Sequence, residues 1–114
     1  MTNLAGLPAI GLKQPRAARN PAYLAAVAAM PCWICYEHDL PQDGRSHAHH
    51  TICGRFSQHR TPDEQSIPLC WLHHQGPDGI HTRKEWWVAQ FGQDVEYVAR
   101  TQERLYHLLE GRNA

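Results

Sequence analysis

The pattern of apolar and polar positions divides the chain into helical segments and two short strands. Alanine and other apolar residues fill "NPAYLAAVAAM" at 20–30, which predicts a helix that Asn20 caps and Pro21 opens. Alternating residues followed by a β-branched pair at 46–52 predict a first strand, and the apolar run "SIPL" at 66–69 predicts a second. The stretch between the strands is rich in polar and turn residues and is expected to be irregular.

The remaining third of the chain is expected to be mainly helical. After the second strand, "CWLHHQ" opens a short helix that "GPDG" interrupts. Thr82 and Glu85 match a T-x-x-E capping box, so a helix is expected to begin there and to end at Gly92. Asp94 is expected to cap a last helix, so that the C-terminal helices occupy 82–110.

Three histidines, His47, His49 and His50, lie within four positions of the first predicted strand. Successive side chains of a strand point to opposite faces, so we expect His47 and His49 on one face and His50 on the other. Neighbouring histidines that point in opposite directions suit two different tasks.

Length and terminal composition set limits on these predictions. A chain of 114 residues fits one domain with a modest core, which a metal site would help to stabilise. Residues 1–19 contain glycines and prolines with little periodicity, so we interpret them as a flexible basic arm. The same segment lacks the pattern of a secretory signal, and no apolar run approaches the roughly 18 residues of a membrane span. We therefore expect no membrane.

The formal net charge is zero, so charge alone gives no case for nucleic-acid binding. Its distribution is uneven, because residues 45–60 contain no acidic residue but include Arg45, Arg55 and Arg60. These arginines are candidates for contacts with phosphate groups. Solvated surface charge explains each of them equally well.

The four cysteines of the chain are Cys32, Cys35, Cys53 and Cys70. The C-x-x-C pair at Cys32 and Cys35 and the C-x-x-H pair at Cys70 and His73 can each direct two ligands at one ion. Zinc takes four such ligands, so the sequence predicts a structural Cys3His site. A redox dithiol is the alternative for Cys32 and Cys35, although the βαβ pattern that usually accompanies it is absent. We interpret Cys53 as a small buried or loop residue.

A second set of histidines remains once His73 is assigned to that site. If a metal lies between the first strand and the short helix, His49 and His74 are its natural ligands and His81 is a candidate third. His50 points away from such a metal and is then available as a base. An imidazole with a pKa near the ordinary value of about 6.5 can accept a proton from water at neutral pH.

These motifs together resemble a known family of nucleases. A histidine-bearing strand, a loop, a second strand and an "LC-x-x-H-H" helix are similar to the ββα-metal core of HNH endonucleases. The fuller pattern "C-x-x-C … A-H-H … I-P-L-C-x-x-H-H … G-x-x-G-I-H", from about Tyr23 to Phe91, resembles the phage recombination-enhancement (Ref-type), RecA-dependent nuclease family.

The resemblance implies an α+β fold with a small ββα-metal (HNH, or His-Me finger) core at about 46–81 and a zinc knuckle, flanked by helices. It implies a nuclease domain over 20–114 that hydrolyses phosphodiester bonds of DNA. In this reading His49 and His74 bind the catalytic metal and His50 is the general base. The expected cofactors are a structural Zn²⁺ and a divalent catalytic metal, which is Mg²⁺, Mn²⁺ or Zn²⁺. The expected partners are DNA and a RecA-type recombinase filament, in the cytoplasm of the bacterial host of a phage or prophage.

The HNH motif has a middle asparagine that orients the base, and this sequence has no counterpart for it. Gln65 or Ser66 lies nearest to the expected position. The alternative function is a non-catalytic zinc module, a degenerate HNH domain that binds DNA or a recombinase filament. That alternative accounts for the cysteines and His73, but it leaves the second set of histidines without a role.

Overall fold

The computed structural model describes residues 18–54 and 60–113, so the predicted arm lies almost entirely outside the described residues. The described elements are, in chain order, α1 (Pro21–Ala28), α2 (Trp33–Glu37), β1 (Ser46–His50), the 3-10 helix η1 (Asp63–Gln65), β2 (Ser66–Cys70), α3 (Trp71–His74), α4 (Lys84–Phe91), the 3-10 helix η2 (Asp94–Tyr97) and α5 (Val98–Asn113). A small sheet with helices confirms the α+β class. Within those ranges, no helix combines the length and the apolar character that crossing a membrane requires.

The two strands pair in antiparallel orientation, with Ser46 opposite Cys70 and His50 opposite Ser66. Helix α1 packs against both strands, while α2, α3 and α5 contact β2, which is buried along its whole length. A proline, Pro68, is tolerated within β2 because a two-stranded sheet leaves one side of each strand without a ladder partner.

Strand β1 is shorter than the predicted 46–52 and ends at His50. The chain turns at this point because the backbone N–H groups of Ile52 and Cys53 donate to the Asp94 carboxylate, at 2.7 and 3.1 Å, rather than to a strand. A side chain distant in sequence therefore sets the end of the strand.

Two buried tryptophans connect the cysteine-bearing segments to the C-terminal helices. Trp33 Nε1 donates to Thr101 Oγ1 at 2.8 Å, and Trp87 Nε1 donates to the His73 carbonyl at 3.0 Å. A buried indole N–H that lacked such an acceptor would cost free energy, so these bonds help to select one packing arrangement. The apolar core around them includes Val27, Met30, Ile34, Ile67, Leu69, Ile80, Tyr97 and Leu105.

The predicted helix ends are confirmed where the signal is local. Asn20 caps α1 by accepting from the Tyr23 N–H at 3.1 Å, and Pro21 occupies the first turn. Helix α4 ends at Phe91, and Gly92 follows it with a φ of 86°, a backbone conformation that favours glycine.

Two other predicted caps are wrong. Helix α4 begins at Lys84 with Arg83 as its N-cap residue and no side-chain cap, and the Thr82 hydroxyl, one residue earlier, donates to the Gln75 carbonyl at 3.0 Å. Gln93 and Glu96 form the reciprocal capping box of η2, so Asp94 does not cap the last helix. Asp94 is fully buried and points at β1.

Candidate metal and catalytic site

The Cys3His group predicted from the sequence comes together in the structure. Cys32 and Cys35 lie at the start of α2, Cys70 ends β2, and His73 lies on α3. The His73 Nδ1 atom lies 3.9, 3.6 and 3.3 Å from the sulfurs of Cys32, Cys35 and Cys70. The sulfurs of Cys35 and Cys70 are 3.7 Å apart.

These separations match the edges of a tetrahedron of metal ligands. Zinc–sulfur bonds of about 2.3 Å and zinc–nitrogen bonds of about 2.0 Å place neighbouring ligand atoms roughly 3.5–3.8 Å apart. Burial raises the pKa of the Cys32 and Cys35 thiols and lowers that of the His73 imidazole, so metal binding must displace thiol protons. The group can hold a metal ion, and all four cysteines of the chain are free thiols.

A second group of side chains that could hold a metal consists of His49, His74 and His81. The ring centroids of His49 and His74 are 4.9 Å apart, those of His49 and His81 are 5.1 Å apart, and those of His74 and His81 are 4.9 Å apart. One nitrogen of each ring lies within 4.8 Å of the others. Strand β1, helix α3 and the turn after it therefore bring three imidazoles to one point.

The contacts of His49 identify its available nitrogen. Its Nε2 lies 2.8 Å from Asp94 Oδ2, and both side chains are almost completely buried. Burial raises the pKa of Asp94, but the hydrogen bonds from His49 and the Ile52 N–H more than offset it, and the net pKa is lowered. Asp94 is therefore an ionised acceptor and Nε2 carries the proton. The other ring nitrogen, Nδ1, is buried without a hydrogen-bond partner among the described residues.

His74 stays neutral at physiological pH. Burial, together with the neighbouring His49, His81 and His47, lowers its pKa to about 3. A neutral imidazole is the form that binds metals. His74 Nδ1 also lies 3.0 Å from His47 Nδ1, so one of these two nitrogens must donate a proton to the other.

His50 lies on the opposite face of β1, as the strand alternation predicts. Its Nε2 is 2.8 Å from Asp63 Oδ1, and its side chain remains 21% exposed. The Asn20 backbone N–H, 2.6 Å from Asp63 Oδ2, and the His50 ring lower the pKa of Asp63. An ionised Asp63 accepts a hydrogen bond from Nε2–H, which leaves the lone pair of the His50 ring on Nδ1.

The partner of His50 differs from the one expected from sequence. In the sequence, Gln65 and Ser66 are the nearest candidates for the missing asparagine. In the structure, Gln65 is exposed, and the Ser66 hydroxyl donates to the Asp63 carbonyl at 2.7 Å. The turn of η1 brings Asp63, rather than either of these, beneath the imidazole. A carboxylate thus occupies the position expected for an amide.

The structure describes two of the three arginines that the sequence predicts to contact phosphate groups. Arg45 and Arg60 are both exposed, and Arg60 lies 3.9 Å from Asp63, close to His50. Arg55 lies outside the described residues. Two exposed guanidinium groups near the histidine strand are compatible with phosphate contacts.

Residues 16–113 match the family described as recombination enhancement, RecA-dependent nuclease. The chain belongs to this family of RecA-dependent nucleases. The resemblance seen in the sequence motifs is thereby confirmed, and the match covers both histidine-containing groups. The family description names a nuclease of recombination, which implies DNA as the substrate. No curated protein and no solved structure matches the chain.

Sequence reasoning missed Asp63 and Asp94 as partners of the site histidines in this member of the RecA-dependent nuclease family. Asp94 follows Gly92 and has the local signature of a helix cap, and Asp63 lies in a polar stretch with no periodic pattern. Their histidine partners are 13 and 45 residues away, so no local spacing could reveal them.

Proposed function

We propose that this chain is a metal-dependent DNA endonuclease of the HNH type. The observation that carries the proposal is the separation of two neighbouring histidines onto opposite faces of β1, each with its own carboxylate. The buried His49 joins His74 and the exposed His81 in one group, and the partly exposed His50 pairs with the buried Asp63. One group is suited to holding a metal and the other to moving a proton.

The proposed ββα-metal core runs from β1 through β2 and α3 to His81, at about 46–81. Support comes from the order of elements, because β2 leads directly into α3 and the His74 ring returns to contact His49. The helices at 82–110 flank this core and contribute Asp94 to it.

His50 is the proposed general base. Its Nδ1 accepts a proton from water, while Asp63 accepts a hydrogen bond from Nε2–H and stabilises the imidazolium that forms. The resulting hydroxide attacks phosphorus, and the bond from phosphorus to the 3′ oxygen breaks. The leaving oxygen takes a proton from solvent, so the products carry 5′-phosphate and 3′-hydroxyl ends.

The proposed ligands of the catalytic metal are His49, His74 and His81. The buried Nδ1 of His49, which has no partner among the described residues, fits this role. A divalent metal there would supply positive charge to a phosphate oxygen and to the leaving 3′ oxygen. Three imidazoles suit Zn²⁺ better than Mg²⁺ or Mn²⁺, which prefer oxygen ligands.

The proposed role of Cys32, Cys35, Cys70 and His73 is to hold a structural Zn²⁺. All four side chains are buried, so water cannot reach such an ion as it must in a catalytic site. The ion would join α2 to the end of β2 and to α3, and α3 carries His74. The structural site therefore positions a ligand of the catalytic one.

The proposed partners are DNA and a RecA-type recombinase filament. Arg45, Arg55 and Arg60 are the proposed contacts to phosphates beside the scissile bond. The filament is proposed from the family description alone, which names RecA dependence. A cytoplasmic setting in the bacterial host of a phage or prophage is proposed only from the resemblance of the sequence motifs.

Purified protein tests this function when it is mixed with single-stranded and duplex DNA, with and without a recombinase filament. We expect cleavage that requires a divalent metal and that His50→Ala slows on the order of 10²–10⁴-fold, together with two bound metal ions per chain. One tightly bound metal and no cleavage under any condition would favour the non-catalytic zinc module. Cleavage that needs no filament would refute only the recombinase dependence.

A further inference from the structure

Asp94 uses both of its carboxylate oxygens on strand β1 and the turn that follows it. Its Oδ2 accepts from His49 Nε2 at 2.8 Å and from the Ile52 N–H at 2.7 Å. Its Oδ1 accepts from the Cys53 N–H at 3.1 Å. The side chain is completely buried, although it belongs to η2, which lies outside the proposed core.

Capping of η2 does not account for this arrangement. Gln93 and Glu96 already satisfy the start of that helix with a reciprocal capping box. Three donors converge instead on a carboxylate that contributes nothing to its own helix terminus. The function of the Asp94 carboxylate therefore lies with its donors, among them the His49 side chain.

The two nitrogens of a neutral imidazole are not equivalent, since one carries the proton and the other has the lone pair. A carboxylate can only accept, so Asp94 requires the proton of His49 to be on Nε2. The lone pair is then on Nδ1, which is buried, has no partner among the described residues and belongs to the ring that contacts His74 and His81.

We propose that Asp94 is a positioning residue that selects Nδ1 of His49 as its metal-binding nitrogen and holds the ring in place by clamping the turn after β1. This inference rests on the proposed metal site at His49, His74 and His81. It extends that site by a carboxylate from the C-terminal part of the chain. Carboxylate partners of this kind commonly orient histidine ligands and make them more basic.

The first test is direct observation of the His49 tautomer in the unaltered protein. Histidine NMR with isotope-labelled ring nitrogens distinguishes the protonated nitrogen from the unprotonated one when the histidine group is free of metal. After titration with an NMR-active cadmium isotope, scalar coupling identifies the nitrogen that binds. We expect a proton on Nε2 and coupling to Nδ1.

The second test compares metal affinities of variants. Asp94→Asn preserves shape but offers one oxygen instead of two, so we expect the affinity of the histidine group for cadmium to fall roughly 10–100-fold. Glu96→Gln is the matched control, because it removes a carboxylate from the same short helix. The Glu96 carboxylate accepts from the Gln93 N–H rather than from His49. The cadmium affinity of Glu96→Gln should equal that of the unaltered protein.

The outcomes separate this inference from the function on which it rests. Coupling through Nε2, a proton on Nδ1, or an unchanged affinity in Asp94→Asn would overturn the role of Asp94 while leaving the metal site intact. Failure of the unaltered protein to bind a second cadmium ion would overturn the proposed metal site and this inference together. If Asp94→Asn does not fold, the tautomer of His49 in the unaltered protein still tests the role of Asp94.

Discussion

His49 and His50 have identical side chains, and their surroundings alone distinguish them. His49 is 1% exposed beside a fully buried carboxylate, whereas His50 is 21% exposed beside Asp63. A buried imidazole with a free lone pair is suited to metal binding, because water does not compete for the nitrogen. A partly exposed imidazole with an anionic partner can exchange a proton with water.

His49→Ala and His50→Ala are therefore expected to fail differently. Loss of the base in His50→Ala should lower the cleavage rate on the order of 10²–10⁴-fold with metal content and DNA affinity nearly unchanged, and added imidazole should restore part of the rate. His49→Ala should weaken metal binding, and excess metal should restore part of its activity. Cleavage rates and metal titrations of both variants check this.

His107→Ala is the matched control for these histidine substitutions. His107 is 66% exposed on α5, beside Glu103, so its removal should change neither metal content nor rate. If His50→Ala lost the metal while His49→Ala kept it, the two roles would be exchanged. Unchanged cleavage in both variants would mean that the activity belongs to a contaminant.

The depressed pKa of His74 predicts a pH dependence of stability when the histidine group is free of metal. Burial and the neighbouring histidines lower this pKa to about 3, whereas an unfolded histidine titrates near its ordinary value of 6.5. Between these values the unfolded chain binds a proton that the folded chain does not, so stability rises with pH. The contribution of His74 to the free energy of unfolding is fully present above the ordinary pKa of histidine. It is lost as the pH falls toward the folded-state pKa, by at most about 1.4 kcal/mol per pH unit.

Urea unfolding at several pH values between the two limits measures this slope. His74→Gln cannot titrate, so its free energy of unfolding should depend less steeply on pH than that of the unaltered protein. Parallel slopes for the two proteins would show that His74 is not the group responsible. Asp63 and Asp94, with lowered pKa values, lose their contributions only at the acidic end.

At the scale of elements, the cysteine group joins two very short helices, α2 and α3, to the end of β2. Helix α2 has five residues and α3 has four, and neither start has a side-chain cap. Helices this short are unstable alone, so their geometry depends on tertiary contacts and on a bound ion.

Cys32→Ser should accordingly lower zinc content and thermal stability together, with a loss of several kcal/mol in the free energy of unfolding. Cys53→Ser is the matched control, since Cys53 is equally buried but lies outside the metal-binding group. It should retain its zinc and lose much less stability. Metal analysis and thermal unfolding of both variants measure the difference. A stable Cys32→Ser protein with unchanged zinc would contradict the structural assignment.

The elements that could be predicted from sequence are those set by neighbouring residues. The Asn20–Pro21 helix start, the end of α4 before Gly92 and the alternation along β1 all depend on local conformational preferences. The C-x-x-C and C-x-x-H spacings also express a local rule, because two intervening residues turn both ligands toward one point.

The carboxylates of the site could not be predicted, because their roles depend on contacts between distant segments. Asp94 has the local features of a helix cap, and only the packing of η2 against β1 shows that it bonds to His49 instead. The failed capping box at Thr82 is similar, since its hydroxyl donates to the Gln75 carbonyl across the turn and the helix starts one residue later than predicted. Local propensity is a weak guide wherever a tertiary hydrogen bond is available.

At the scale of the whole molecule, the two proposed metal sites share helix α3 but differ in access. Adjacent residues, His73 and His74, belong to different groups. The ligands of the cysteine group are at most 4% exposed, whereas His81 of the histidine group is exposed. A competing chelator in water should therefore reach the histidine group first.

Stepwise removal of metal with increasing chelator should consequently show two separate transitions. The first should release one ion and abolish cleavage while near-ultraviolet circular dichroism, which reports the packing around Trp33 and Trp87, stays constant. The second should release the buried ion and unfold the protein, because structural zinc contributes directly to folding free energy. Restoring a divalent metal after the first transition alone should recover activity without refolding. Release of both ions in one step, with loss of the tryptophan signal, would instead mean that the histidine group is as essential to the fold as the cysteine group. The division into a structural and a catalytic site would then be wrong.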